Sequence, residues 1–293
     1  MLCWGLNIVM LKVLVQYIPP VSMQALRILI AGVVVLLFLF LTRQFKWVGK
    51  GKWKFILLAA LFGVLGHHIF LALGLTLTTA SNTSLILALL PLATSILAVI
   101  FLHDKLTKLR VVGLVLGLVG VMIIILFGGN SELSTVNIGD IFIFLSMAFQ
   151  AVSFIFIKKA TATTDSKIVT GMMLVSGSFL LFLFSFLLER NGLSSLADVP
   201  SFIWGVFFAS AIIATAIGHL LFNYAIHKIG AGQTVVFNNF VPFFGLVSAA
   251  IFLGEKITIV QVLGFVVIII AVLLGTGYVD EKRKERQQRQ KIA

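Results

Sequence analysis

Residues 66–107 read GHHIFLALGLTLTTASNTSLILALLPLATSILAVIFLHDKLT, and residues 218–258 read GHLLFNYAIHKIGAGQTVVFNNFVPFFGLVSAAIFLGEKIT. The two stretches align when one residue of the first is skipped, so the chain contains the same segment twice. Each copy runs from a Gly-His pair through a mid-segment proline to a short charged turn. The matched positions are Gly66 with Gly218, His67 with His219, Pro91 with Pro242 and Lys105 with Lys256.

The composition around this repeat is that of a membrane protein. The 293 residues are 60% hydrophobic and 11% charged, whereas a soluble domain carries about 25% charged residues. Apolar stretches of about 20 residues, the length that crosses a bilayer, recur along the chain. The sequence begins MLCWGLN, without a basic segment or a cleavage site, so we predict that its first apolar segment is a retained helix.

The hydrophobic pattern predicts an all-α integral membrane protein with ten transmembrane helices. Five helices per copy is an odd number, so the second copy enters the membrane from the opposite side and the two repeats are inverted. We predict a first five-helix repeat at 1–128, a second at 129–279 and a basic cytoplasmic tail at 280–293. The predicted spans are 2–17, 22–42, 54–76, 81–102, 109–127, 138–158, 167–188, 202–226, 231–253 and 258–278.

The basic residues indicate the orientation. With ten spans, 18 of the 22 Lys and Arg residues fall on one side of the membrane, and only Arg190 and Lys256 fall on the other. By the positive-inside rule both termini are predicted to be cytoplasmic, in the cell (inner or plasma) membrane. The net charge of +12 is therefore a topology signal, and we predict no nucleic-acid partner.

Inverted repeats are typical of alternating-access transporters, and a secondary transporter is the function that the repeat favours. A channel or a membrane scaffold is the alternative, and an intramembrane enzyme is a remote third. The sequence contains neither an HExxH motif nor the ATP-binding motif GxxxxGK[ST], and no span centre carries a carboxylate. We therefore predict no catalytic residue, cofactor or metal site, and we interpret the twin charged turns as span ends.

Four stretches resemble helices of EamA-type carriers in the drug/metabolite transporter superfamily. The likeness covers nearly the whole chain and implies an inner-membrane exporter of amino acids, other metabolites or toxic compounds, with a central cavity between the repeats. The small four-helix relatives in that superfamily use a glutamate in the first helix, which is absent here. The stretches lie at 4–32, 139–159, 81–107 and 235–258.

The paired prolines are the first pointers to a solute site. Pro91 and Pro242 lie in the middle of spans four and nine, where each frees the carbonyl four residues earlier, on Leu87 and Asn238. Interrupted helices at matching positions of two repeats indicate a transport site. The alternative is a pair of packing kinks.

Polar side chains inside the spans supply the other candidates. Small residues including Ser84 form a stripe on span four, which either lines a cavity or lets another helix approach. His67 and His219 either carry protons or bond a neighbouring helix. The predicted solute-binding residues are Trp4, Asn7, His67, Ser84, Pro91, Gln150, Ser153, His219, Asn223, Tyr224, Asn238, Asn239 and Pro242.

These side chains predict a cavity with aromatic walls that suits a small neutral or zwitterionic, amino acid-like or amphipathic solute. Lys12 and Arg27 lie inside spans, where each either attracts a carboxylate or extends its stem toward water, and the second is the commoner behaviour. The other predicted partner is the lipid bilayer. Because one chain supplies both repeats, we predict a monomer.

Overall fold

The computed structural model of this chain describes residues 1–102, 107–127, 137–190, 192–222, 240–279 and 282. Throughout these residues the regular structure is helical. Short 3₁₀ turns lie at Lys50–Lys52 and Ser194–Asp198. The helices are α1 Leu2–Tyr17, α2 Pro20–Leu41, α3 Trp53–Leu77, α4 Ala80–Phe101, α5 Lys108–Phe127, α6 Ile138–Thr161, α7 Ser166–Leu188, α8 Ser201–Phe222, α9 Phe240–Leu253 and α10 Ile259–Gly275.

Among the described helices, six are long and apolar enough to cross a membrane, namely α2, α3, α4, α6, α7 and α8. Shorter apolar helices are α1, α9 and α10. At the ends that the structure describes, the helix bounds lie within about three residues of the predicted spans. The described part of the chain is thus all-helical, as in a multi-pass membrane protein. The predicted hairpin turn at Asp104 and Lys105 lies outside the described residues.

Helix contacts recur with the two halves of the chain exchanged. The α2–α7 pair joins the second helix of each half, and the α5–α10 pair joins the fifth helix of each half. In the same way α3 packs on α6 while α8 packs on α1, and α4 packs on α6 while α9 packs on α1. In each of these cases, a helix of the first half that packs on a helix of the second half is matched by the corresponding pair with the halves exchanged. The two halves therefore interlock instead of forming separate bundles.

Glycines set the closest helix contacts. A Cβ at Gly113 would lie 2.3 Å from the backbone nitrogen of Gly275, and one at Gly117 would lie 2.3 Å from Leu92. The absence of side chains therefore lets α5 approach α10 and α4. These two glycines therefore serve helix packing.

Candidate functional site

Two helices change their hydrogen-bonding pattern where the repeated Gly-His pairs lie. In α3 the π-helical segment Leu61–Gly66 ends directly before His67. In α8 the π-helical segment Ala209–Ile217 ends directly before Gly218 and His219. A π-helical turn leaves backbone and side-chain groups out of α-helical register and is frequent at functional sites. The two segments occupy corresponding positions in the aligned repeats.

The π segment of α8 collects polar side chains from α1. The indole Nε1 of Trp4 donates to the carbonyl of Ala214 at 2.9 Å, and the Trp4 ring lies 5.5 Å from the His219 ring. The hydroxyl of Ser210 donates to Oδ1 of Asn7 at 2.5 Å. Three predicted site residues, Trp4, Asn7 and His219, are therefore brought together where α1 packs on α8. His219 also bonds its own helix, with Nδ1 2.8 Å from the Thr215 carbonyl.

Arg27 on α2 lies against the same segment. Its side chain is 1% exposed, and its Nη1 donates to Thr215 Oγ1 at 2.7 Å and to Ser210 Oγ at 3.3 Å. Its Nε and Nη2 donate to Oε1 of Gln24 at 3.0 and 2.7 Å. The favoured expectation that Arg27 extends toward water is therefore wrong. These inward hydrogen bonds hold the guanidinium between helices.

The π segment of α3 faces α6 in a similar way. The Ser146 hydroxyl lies 2.8 Å from Nδ1 of His67 and donates to the His67 carbonyl at 2.9 Å. A Cβ at Gly63 would lie 2.2 Å from Oγ of Ser153 and 3.7 Å from Oε1 of Gln150. His67, Gln150 and Ser153 therefore share one helix contact. Ser153 Oγ is buried and has no hydrogen-bond partner in the described part of the chain.

The two groups of polar residues are connected through His68. The rings of His67 and His68 are 4.7 Å apart, edge to face, and Nδ1 of His68 lies 3.4 Å from Nη2 of Arg27. The resulting sequence of contacts runs from α6 through α3 and α2 to α8 and α1. We name it the polar chain, and its members are Ser146, His67, His68, Arg27, Ser210 and Asn7.

The remaining described candidates lie on α4 and α9. Ser84 donates to the carbonyl of Ala80 on its own helix at 2.8 Å. A Cβ at Gly245 would lie 2.2 Å from Ser84 Oγ, so these helices are in close contact there. The α-helical pattern of α4 is interrupted at residues 88–89, just before Pro91, and Pro242 is buried in α9. The candidates Asn223, Tyr224, Asn238 and Asn239 lie outside the described residues.

Two carboxylates hold helix N-termini at one end of the bundle. Glu255 accepts hydrogen bonds from the backbone N–H groups of Ala80 and Ser81 at 2.8 and 2.9 Å and from the Ser81 hydroxyl at 2.6 Å. Glu189 accepts the matching set from Val21 and Ser22, at 2.8, 2.7 and 2.6 Å. An anion is favoured there because the first N–H groups of a helix lack intrahelical partners. We name this end the carboxylate end.

A second network lies at the carboxylate end. Asp140 accepts hydrogen bonds from the hydroxyl of Thr78 and the amide of Asn82. The Asn82 carbonyl oxygen accepts from Nε2 of Gln261 at 2.8 Å. Lys12 donates to the Leu75 and Thr78 carbonyls, each at 2.6 Å. Lys12 thus binds the last carbonyls of α3, and the network joins α1, α3, α4, α6 and α10.

Several of these residues were missed by sequence reasoning. Glu189 and Glu255 were visible only as charges near span ends, and nothing local indicates which helix each one caps. Arg27 did give a signal, because a cation inside a span needs a partner. Within the described residues, no group of three His, Cys, Asp or Glu side chains is arranged to hold a metal ion.

Along its length the chain is similar to a transporter family and to proteins that are named as transporters. Residues 1–126 and 137–276 match the EamA-like transporter family. The uncharacterized transporter YyaM of Bacillus subtilis is 31% identical, over 92% of this chain and 88% of the relative. An uncharacterized transporter of Archaeoglobus fulgidus is 29% identical, over 96% of this chain and 95% of the relative.

A further relative is named the probable amino-acid metabolite efflux pump of Salmonella typhimurium, which is 25% identical over 90% of this chain and 88% of the relative. A protein of known crystal structure shares the fold with a TM-score of 0.62 at 17% identity, over 93% of this chain and 95% of that one. The family match and the identities together cover nearly all of the sequence. The chain belongs to the EamA-like transporter family.

Proposed function

We propose that this protein is a secondary transporter of the cell membrane that exports a small, amino acid-like or amphipathic metabolite. The observation that carries the proposal is the polar chain, which places hydrogen-bonding side chains of both halves in contact inside an apolar bundle. Such groups are costly in a membrane unless they serve transport or pair completely. The name of the Salmonella relative, a probable amino-acid metabolite efflux pump, supports the same solute class.

The proposed mechanism is alternating access between two inverted five-helix repeats, 1–128 and 129–279, with ten transmembrane helices and cytoplasmic termini. The exchange of helix contacts between the halves supports it, because two conformations related by pseudo-symmetry follow from such a duplication. In this scheme the carboxylate end is the extracellular end. The hydrogen bonds of Glu255 and the contact of Ser84 with Gly245 close that end.

In this scheme the solute lies beside the polar chain, and the aromatic rings of Trp4 and Phe222, 5.1 Å apart, form one wall. Trp4, Asn7, His67, His219, Gln150 and Ser153 supply hydrogen bonds, and the interrupted α4 supplies a point of bending at Pro91. One chain contains both halves, so we propose a monomer. Neither a cofactor nor a nucleic acid takes part in this mechanism.

Untargeted metabolite profiling of the growth medium tests the proposal. Cells expressing the wild type are compared with empty-vector cells and with cells expressing Asn7→Leu, which removes the acceptor for Ser210. The matched control is Gly205→Ala, because a Cβ at that position meets nothing within 4 Å. We expect one solute class to accumulate outside wild-type and Gly205→Ala cells and to be reduced at least tenfold for Asn7→Leu.

Two results count against the proposal. If the growth media of wild-type and empty-vector cells contain the same metabolites at the same levels, export is contradicted. Uptake assays then test the scaffold alternative. Flux that rises linearly with solute concentration, without saturation, contradicts alternating access and indicates a channel.

A further inference from the structure

The guanidinium of Arg27 is a buried positive charge, and all of its hydrogen-bond partners among the described residues are neutral groups. Its hydrogen-bond acceptors are the Gln24 amide oxygen and the hydroxyls of Ser210 and Thr215, and His68 contacts it through a ring nitrogen. A buried charge is normally stabilised by an opposite charge, because removing a charge from water is strongly unfavourable. Neutral hydrogen bonds orient this guanidinium but leave its charge uncompensated.

The carboxylates that the structure describes in the bundle are engaged elsewhere. Asp140 accepts hydrogen bonds from Thr78 and Asn82, and Glu189 and Glu255 cap α2 and α4 at the carboxylate end. Each of them is therefore satisfied away from Arg27. A mobile anion is the group that would complete the charge balance of the polar chain.

The side-chain amide of Gln24, which is buried beside Arg27, has hydrogen-bond donors that are not used by the described residues. Gln24 is 0% exposed, and its Oε1 receives two hydrogen bonds from Arg27, but its Nε2 has no hydrogen-bond partner among the residues that the structure describes. An unsatisfied buried N–H group is destabilising, because it has lost its hydrogen bonds to water and gained none in return. Gln24 thus adds unused donors next to an uncompensated cation. Both features favour an anion as the ligand.

Two of the guanidinium contacts are long and can be exchanged. Nη1 lies 3.3 Å from Ser210 Oγ, and Nη2 lies 3.4 Å from Nδ1 of His68. The other contacts, to Gln24 and Thr215, are 2.7–3.0 Å. An incoming carboxylate can therefore accept one guanidinium N–H and the free amide N–H of Gln24 while the short hydrogen bonds keep Arg27 in place.

We propose that Arg27 and Gln24 form an anion subsite that binds the carboxylate of the exported solute. This inference rests on the proposed function and narrows its solute class to compounds with a single carboxylate. The nearby rings of Trp4, His219 and Phe222 would contact the less polar part of such a solute. The charge of Arg27 then selects the solute, because a neutral analogue leaves the cation uncompensated.

The variant Gln24→Glu tests the subsite directly. Glu has the shape of Gln, keeps the oxygen that binds Arg27 and supplies the missing negative charge from within the protein. We expect the variant to fold with a raised Tm in detergent, since it neutralises a buried charge. We also expect at least a tenfold loss of export, since the internal carboxylate occupies the place of the solute's carboxylate.

Metabolite profiling of the medium, as for the proposed function, is the readout, with Gly205→Ala as the matched control and Arg27→Lys as a charge-retaining variant. Arg27→Lys is expected to keep measurable export, because it retains the cation without the planar set of donors. The solutes enriched by the wild type are expected to be carboxylic acids.

The inference is overturned if Gln24→Glu exports as the wild type does, or if the wild type exports a solute without a carboxylate. A raised Tm with unchanged export would mean that Arg27 and Gln24 only hold α2 against α8. Absence of any exported solute for the wild type would instead contradict the proposed function itself, so the two failures are distinguishable.

Discussion

Neutralising Glu255 should open the carboxylate end of the bundle. Its carboxylate accepts two backbone N–H groups at the start of α4 and the Ser81 hydroxyl. In Glu255→Gln one oxygen becomes an NH₂ group, so one of the backbone N–H groups faces a donor. The same change removes the negative charge that the helix N-terminus favours.

The size of the effect follows from these contacts. A hydrogen bond to a charged group contributes about 1.5–3 kcal/mol against about 0.5–1.5 kcal/mol for a neutral one. The interaction with the helix dipole adds about 0.3–1 kcal/mol. Because Glu255 is only half-buried, we take about 2 kcal/mol as the net loss, which corresponds to a shift of about 30-fold in the equilibrium between closed and open carboxylate ends.

Cysteine labelling measures this shift. The chain has one cysteine, so Cys3→Ser provides a background in which Ser84→Cys, at a residue that is 1% exposed, is the only thiol. A membrane-impermeant maleimide is added from outside, and Glu255→Gln is expected to increase the labelling rate by up to about 30-fold.

Glu189→Gln is the matched control, because it loses the same set of hydrogen bonds at α2. The α2–α7 pair is also joined at its other end by Lys167 and Gln44 at 2.8 Å. Glu189→Gln should therefore leave the labelling rate of Ser84→Cys unchanged. Equal labelling rates for Ser84→Cys with and without Glu255→Gln would refute the reasoning. Glu255 would then only cap α4, without controlling the opening of the carboxylate end.

Two further predictions concern packing and the polar chain. Gly245→Ala places a Cβ 2.2 Å from Ser84 Oγ and should destabilise the protein by about 1–3 kcal/mol. Gly205→Ala, where a Cβ meets nothing within 4 Å, should not destabilise it. Thermal unfolding in detergent distinguishes the two variants, and equal Tm values would contradict the close contact between Gly245 and Ser84. Ser146→Ala removes two hydrogen bonds to His67 and should lower the free energy of unfolding by about 2 kcal/mol in the same assay. A Tm equal to that of the wild type contradicts this prediction.

The helices could be predicted from the sequence because apolar runs of bilayer length are a local property. The bounds of α1, Leu2–Tyr17, agree with the predicted span 2–17, and α2 begins at Pro20 instead of residue 22. The start of α2 was missed because Pro19 and Pro20 indicate a turn, although proline is also well suited to the first turn of a helix.

The candidate site could be predicted only in part. Trp4, Asn7 and His219 were named from polarity and the repeat, and they do lie together. Arg27 and Gln24 were not included, since a hydrophobic pattern gives the position of a residue along a helix but not the hydroxyls that a neighbouring helix offers. Such partners, like the caps made by Glu189 and Glu255, come from residues more than 150 positions away.

The central claim is that solute moves only when the carboxylate end opens and closes. Cysteines at positions 84 and 245, in the Cys3→Ser background, test it, because a Cβ at 245 lies 2.8 Å from the Ser84 Cβ and a small relaxation reaches the disulfide range of about 3.5–4.5 Å. Efflux of the solute identified by profiling is measured before oxidation, after oxidation and after reduction.

Each single-cysteine variant serves as a control for the effect of the oxidant. The account predicts that oxidation of the double variant stops export and that reduction restores it. Export that continues through the oxidised protein, with the disulfide verified by gel mobility, would contradict the claim.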